Sequence, residues 1–289
     1  MEDLKMSLKI ALIYFSGTNV TRTYAGVIRE ELNHLDCEVE TFDVTPFSAR
    51  QRSLPLKNAQ AAIFGFPVYA DFAPSVINDW LPSLEGGGKR CAMFFTYGAR
   101  TTGYSHFHTK LLLEEANFQV LFSAEFLGRH TFNVGGWNIL PHRPDESDFK
   151  VARDFASLAV ERFSMAVPPT FKLQKPFCYH LAIADLKNQI VRTEPGMTNP
   201  FRVEIECSMC RDCENECPTQ SFNADTGNSN PETCIECMHC LYICPDKVIK
   251  IDERMADTYQ DFLTYCHLDE EMMAAKSSKI ITESWQAAF

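Results

Sequence analysis

The chain has 289 residues, a formal net charge of −11, 45% hydrophobic and 22% charged residues, which is room for about two domains with ordinary cores. The negative charge argues against a nucleic-acid surface, which needs cations to neutralise phosphates, and suits an acidic soluble protein or an acidic face for a basic redox partner. No run reaches the ~18 apolar residues of a membrane span, and the apolar stretch at 10–15 lacks the length and cleavage site of a secretory signal, so a cytoplasmic location is expected.

The first element is "KIALIYF" at 9–15, an apolar run suited to a buried parallel strand. It ends in the loop "SGTNVT", and "TRTYAGVIREELNHL" follows with helical period, its apolar face carrying Ala25, Ile28, Leu32 and Leu35. A strand, a loop of hydroxyls and glycine, and a helix N-terminus together cradle a phosphate. The loop has no lysine, so it is not a Walker loop. Further strands are expected at "EVETFDV" (38–44), "AAIFGF" (61–66), "CAMFFTY" (91–97) and "QVLFSAEFL" (119–127). Helices are expected around "PSVINDWL", "HFHTKLLLEEA" and "SDFKVARDFASLAVERF". Five strands alternating with helices predict an α/β domain with a doubly wound, five-stranded parallel sheet over 1–167. Ligands of such sheets sit beyond the carboxyl ends of the strands. The loops there are "SGTNVT", "PVYADFAP" and "TYGARTTG", which offer Tyr69, Phe72 and Tyr97 to a flat ring.

Prolines 168 and 169 end the last helix and open a connector, 168–200, expected to strap two domains together. It includes a short helix in "LAIADLKNQIV". Then "CSMCRDCENECP" and "CIECMHCLYICP" write one pattern twice, each as C-x-x-C-x-x-C-x-x-x-C-P. Eight of the twelve cysteines lie there; Cys37, Cys91, Cys178 and Cys266 are scattered and read as buried small hydrophobes. In a cytosolic chain, clustered cysteines are metal ligands or catalysts before they are disulfides. Zinc would need four ligands, usually as two separated pairs. Three evenly spaced cysteines and a fourth before proline instead suit a 4Fe–4S cluster, the fourth thiolate serving the other cluster. One cluster then takes Cys207, Cys210, Cys213 and Cys244, and the other Cys234, Cys237, Cys240 and Cys217. The segment 253–289 reads as a mostly helical, amphipathic tail, which packs back on the core or mediates a homodimer; the sequence leaves both open.

The cysteine segment, over about 203–251, resembles the bacterial two-cluster ferredoxins, with "RVEIE" and "KVIKI" in the places of that fold's terminal strands. The three loops of the first domain resemble those of flavodoxins, which bind FMN. "FSGT", "PVYA", "YGAR", "GRHTFN" and "RPDESDF", followed by the doubled motif, resemble the anaerobic flavodoxin–ferredoxin fusion family, often called EFR-type ferrodoxins. The resemblance implies a flavodoxin-like FMN domain (1–167), a small α+β two-cluster ferredoxin domain (201–252) and a helical tail. It also implies that Ser16, Gly17, Thr18, Asn19 and Thr21 hold the FMN phosphate. Pro67, Val68, Tyr69 and Ala70 would line one side of the ring, and Thr96, Tyr97, Gly98 and Arg100 the other. The chain departs from the family pattern at Asn19 and Val20, where glycine then asparagine is usual, and at Ala99, where asparagine is usual. Asn19 suits a positive φ.

One chain with FMN and two clusters would convert between two-electron and one-electron chemistry. Three functions follow: a low-potential electron carrier between redox proteins of an anaerobe, an FMN-dependent oxidoreductase acting on a small organic substrate, and a redox sensor. For the second, the loop "NVGGWNILPH" would wall a substrate pocket with Trp137. His130 is a weak candidate for the cofactor rim, and His106 and His108 read as surface residues.

Overall fold

The computed structural model describes residues 7–187, 194–203 and 206–282. β1 (Lys9–Tyr14), β2 (Glu38–Asp43), β3 (Ala61–Pro67), β4 (Arg90–Tyr97) and β5 (Gln119–Leu127) pair in parallel, in the order β2-β1-β3-β4-β5. This is the flavodoxin-like order of a doubly wound sheet, and it places the crevice at the carboxyl ends of the strands. Side chains alternate across the sheet. Ile10 and Leu12 face the core under α1 (Val20–His34), while Ala11 and Ile13 face the core under α2 (Ser75–Trp80) and α3 (Ser105–Glu115). α4 (Glu146–Ser164) packs beside α1. It starts at a reciprocal cap, in which the Asp145 side chain accepts from the Ser147 and Asp148 amides and Asp148 accepts from the Asp145 amide. Ala25, Ile28 and Leu32 are buried as expected; Leu35 lies past the end of α1 and is 38% exposed.

α5 (Tyr179–Lys187) supplies the connector's helix, and the rest of "LAIADLKNQIV" lies outside the described residues. Tyr179 packs edge-on against Phe107 and bonds its hydroxyl to His108 Nδ1 at 2.7 Å. A second, antiparallel sheet follows, built from β6 (Phe201–Arg202), β7 (Phe222–Asn223), β8 (Asn228–Ser229) and β9 (Ile249–Lys250) in the order β7-β8-β6-β9. "RVEIE" contributes β6 at its start, and its residues 204–205 lie outside the described residues. The short helices α6 (Asp212–Asn215) and α7 (His239–Ile243) carry the third cysteine of each motif, Cys213 and Cys240.

The tail holds the expected helices, α8 (Tyr259–Tyr265) and α9 (Glu270–Ala274). It then adds β10 (Lys279–Ile281), antiparallel to β5, a strand that helical periodicity does not show. The strand covers an edge that would otherwise expose unpaired backbone groups. Ser278 fastens it, accepting from the Leu127 amide at 2.9 Å and donating to Asp148 at 2.5 Å. The tail thus packs back on the core. Trp137 lies under it, its ring tilted 36° against Phe262 with centroids 4.3 Å apart and its Nε1–H donated to the Met255 carbonyl at 2.9 Å.

His106 is fully buried rather than on the surface, and His108 is partly buried. His106 Nδ1 meets Ser123 Oγ at 2.6 Å, and its Nε2 lies 3.4 Å from Glu125, which also pairs with Lys279 of β10 at 3.2 Å. Of the scattered cysteines, Cys37 and Cys91 are buried; Cys178 and Cys266 are only partly so. Among the described residues no helix is long and apolar enough to cross a membrane.

Candidate functional site

The loop after β1 bends into α1 at Asn19, whose φ is 66°, the left-handed region. Asparagine carries that conformation at lower cost than most residues. Ser16 is buried and structural: its amide donates to Thr45 Oγ1 at 2.8 Å and its Oγ accepts from the Arg22 amide at 3.1 Å. Gly17, Thr18 and Thr21 line a cavity of ≈ 1410 Å³ at the carboxyl ends of the strands. The Thr21 and Thr96 hydroxyls are 2.8 Å apart, so one of them keeps a proton to donate elsewhere. Arg129, just past β5, reaches over the loop with Nη2 3.4 Å from the Thr18 carbonyl. Its Nε and the Asn19 Oδ1 are buried with no hydrogen-bond partner among the described residues. A buried, unpartnered guanidinium N–H beside a hydroxyl-rich loop fits a phosphate.

Pro67, Val68, Tyr69 and Ala70 line the same cavity after β3, and Thr96, Tyr97, Gly98 and Arg100 line it after β4. The two loops are clasped by Arg100, which pairs with Asp71 at 2.9 Å. Tyr69 and Phe72 exchange backbone bonds of 2.7 and 3.1 Å across a tight turn, with Ala70 and Asp71 at φ 47° and 69°. Two positive φ values outside glycine store strain of the kind that gathers at ligand sites. Phe72 turns away from the cavity and stacks on Tyr104. The Tyr69 hydroxyl points back toward Gly17 and Cys237. Trp137, packed under the tail, does not wall the cavity. His130 does line it. Its Nδ1 accepts from the Phe132 amide at 3.1 Å, and burial pulls its pKa down to about 4, so it is neutral at pH 7.

The eight motif cysteines fall into two groups. Cys207, Cys210, Cys213 and Cys244 line a small cavity of ≈ 20 Å³. Cys240 lies in the field of Cys237, Cys234 and Cys217, and also of Cys213 from the first group. Burial, then neighbouring thiols, pushes Cys213 up to about 11 and Cys240 well above its ordinary value. The two motifs share a backbone as well as a spacing. Met209, Arg211 and Gln220 have φ of 54°, 65° and 54°, and their counterparts Glu236, Met238 and Lys247 have 54°, 59° and 56°. These turns aim amides at sulfur: Met209 N lies 3.4 Å from Cys207 Sγ, and Ser221 N 3.2 Å from Cys217 Sγ. Successive amides of this kind make an anion-binding nest. Among the described residues, no three or more His, Cys, Asp or Glu form a group that could hold a metal ion.

The two groups differ in place. Cys210 is exposed, whereas Cys217, Cys237 and Cys240 are buried. The second group sits on the first sheet's crevice. Cys237 belongs to the core that includes Ile13 and Phe66. His239 Nδ1 lies 3.2 Å from the Gly17 carbonyl, and Cys234, Ile235 and Glu236 line the large cavity. A Cβ on Gly17 would come within 2.4 Å of the Cys237 carbonyl, so only glycine permits this approach.

Residues 199–245 match the family of 4Fe-4S dicluster domains. No curated protein matches the chain. A flavodoxin from the domain Archaea aligns at 16% identity over 55% of this chain and 100% of its own, with TM-score 0.41. Oxidised flavodoxin 2 from Bacillus cereus aligns at 19% identity over 53% of this chain and 98% of its own, with TM-score 0.42. The rubredoxin oxygen:oxidoreductase of Desulfovibrio gigas aligns at 17% identity over 55% of this chain and 37% of its own, with TM-score 0.41. The flavodoxin-like fold itself rests on the strand order. The chain joins this fold to a segment of 4Fe–4S dicluster type.

Sequence reasoning missed two arginines at the crevice. Arg129 had a signal, since it follows directly on the fifth strand, where a doubly wound sheet places its ligand. Arg50 had none, because its role depends on how the cysteine segment packs against the first sheet.

Proposed function

We propose that this protein is an iron–sulfur flavoprotein that moves electrons between FMN and two 4Fe–4S clusters, serving redox partner proteins as a low-potential carrier, and that it is an EFR-type flavodoxin–ferredoxin fusion. Residues 1–167 form the flavin domain, 168–200 the connector, 201–252 the cluster domain and 253–289 the tail. Gly17, Thr18, Thr21 and Arg129 bind the FMN phosphate, Asn19 shapes the loop from behind, and Ser16 fixes its start. The loops 67–70 and 96–100 enclose the ring. Cys207, Cys210, Cys213 and Cys244 hold one cluster; Cys217, Cys234, Cys237 and Cys240 hold the other.

The observation that carries this reading is the seating of Cys237 against the phosphate loop, with Cys234 on the wall of the flavin cavity. The more buried thiol group adjoins the crevice through Cys234 and Cys237, and the other group carries the exposed Cys210. That order suits passage from flavin to buried cluster to surface cluster to partner. Bound FMN exchanges electrons in pairs or singly, and each cluster exchanges one. The chain's own contribution is proximity, fixed without diffusion, and the amide nests and burial that set the clusters' potentials. The anaerobic setting rests on the family resemblance.

A second reading, an FMN-dependent oxidoreductase for a small organic substrate, is favoured by the cavity, whose ≈ 1410 Å³ exceeds the ~300–1,000 Å³ of ordinary small-ligand sites. Anaerobic absorbance during titration with NADH, then NADPH, then dithionite separates the two. Bands that bleach only with dithionite support a carrier fed by proteins. Bleaching by a nicotinamide favours the oxidoreductase.

A further inference from the structure

Arg50 lies in a short 3-10 turn, Phe47–Gln51, between the second strand and the third, and is 9% exposed. Its Nη1 donates to the carbonyls of Val44 at 2.5 Å, Thr45 at 2.8 Å and Pro46 at 3.3 Å. Its Nη2 crosses to the cysteine segment and donates to the Pro218 carbonyl, next to Cys217. These carbonyls accept from both Nη atoms but carry no net charge. A buried guanidinium without an anion is costly. Among the described residues no carboxylate pairs with Arg50: its partners are these four carbonyls, the last of them next to Cys217. Arg202, beside the first thiol group, is different: it is half-buried, with Nη1 3.9 Å from Cys207 Sγ.

We propose that Arg50 is the counter-ion of the cluster held by Cys217, Cys234, Cys237 and Cys240, and that it raises that cluster's reduction potential. This rests on the ligand assignment above. A 4Fe–4S cluster with four thiolates is an anion, and reduction adds one electron. A fixed cation in a low-dielectric seam stabilises the reduced form more than the oxidised one. No bond forms or breaks and no proton moves. A guanidinium keeps its charge at neutral pH even when buried. A flavodoxin-like domain thereby tunes a cluster in the neighbouring domain, and favours electron flow from flavin into the buried cluster.

The test is an anaerobic potentiometric titration of the intact holoprotein with dithionite. The clusters are followed by EPR and the flavin by absorbance, in wild type, Arg50→Gln and Arg50→Lys. Arg202→Gln, beside Cys207, assigns the first cluster. Arg50→Gln is expected to lower the reduced-to-oxidised ratio of the second cluster about tenfold at the wild-type midpoint, a shift of ~59 mV for one electron. Arg50→Lys keeps most of the wild-type ratio, and the first cluster is unmoved. A fully loaded Arg50→Gln with unchanged cluster potentials overturns the proposal. So does weakened FMN binding alone, which would make Arg50 a phosphate ligand. Should Arg50→Gln fail to fold, Gln51→Glu, an exposed position on the same cavity, leaves the clamp intact and is expected to lower the second cluster's ratio by less; no shift there overturns the proposal. Wild-type protein without iron and sulfide would instead overturn the ligand assignment.

Discussion

Gly17→Ala tests how the two sheets are joined. The added Cβ would lie 2.4 Å from the Cys237 carbonyl oxygen, 2.5 Å from the Tyr69 hydroxyl and 3.1 Å from the Cys237 Cβ. Normal contact is ~3.5 Å, so the cysteine loop must recoil by roughly 1 Å. The Cys237 contact is backbone and cannot rotate away as a side chain can. Overpacking of this kind costs ~1–3 kcal/mol, and here the strain falls at the seam rather than inside either unit. Gly26→Ala is the control. Its Cβ meets nothing within 4 Å, and it replaces glycine inside α1, which is expected to stabilise by ~1 kcal/mol. Urea unfolding measures both stabilities. Flavin fluorescence measures FMN release, and the spread of electrons from photoreduced flavin into the clusters measures contact across the seam. Gly17→Ala is expected to lose stability, release FMN more readily and slow that spread. Wild-type values in all three would refute the apposition of Cys237 on the phosphate loop.

Arg129→Gln removes the buried, unpartnered Nε–H, and FMN affinity is expected to fall about tenfold or more, at ~1.5–3 kcal/mol per charged hydrogen bond, with iron content unchanged; equilibrium dialysis checks it. Cys213→Ser is expected to damage the first cluster and leave FMN in place, and loss of both cofactors together would contradict separate flavin and cluster units. Trp137→Ala empties the packing under the tail and is expected to cost ~3–5 kcal/mol, seen as a lower urea midpoint. Burial alone would raise the Glu125 pKa, but His106, Thr102 and Lys279 outweigh it and hold the carboxyl at about 2. A depressed carboxylate contributes stability above its unfolded pKa and loses it as pH falls toward the folded value. The stability gap between wild type and Glu125→Gln is therefore expected to shrink between about pH 4.5 and pH 2, and a gap that grows in acid would contradict the pairing.

The parallel sheet was legible because each strand is a local apolar run bounded by loop residues, and its ends fell within a residue or so of those expected. The repeat of the cysteine pattern was legible as a spacing, and the matched left-handed residues of the two motifs show that spacing carried into backbone. The left-handed Asn19 followed from residue type. What stayed hidden was non-local. β10 spans three residues in a helical stretch and exists because β5 offers an edge. Phe72 and Trp137 were each given to the cavity on sequence position, but aromatic partners elsewhere claim them. His106 sits at a helix start, where exposure is the ordinary expectation, and is buried by Glu125 and Ser123 from the neighbouring strand. Arg50 acquires its meaning from a carbonyl far along the chain.

The central claim is that one chain holds a flavin and two clusters in electronic contact. An anaerobic coulometric titration of the purified holoprotein tests it most directly. About four electrons per chain are expected, two for FMN and one for each cluster, with flavin and iron–sulfur bands responding to one common reductant. Uptake of about two electrons, confined to one kind of band, would contradict it.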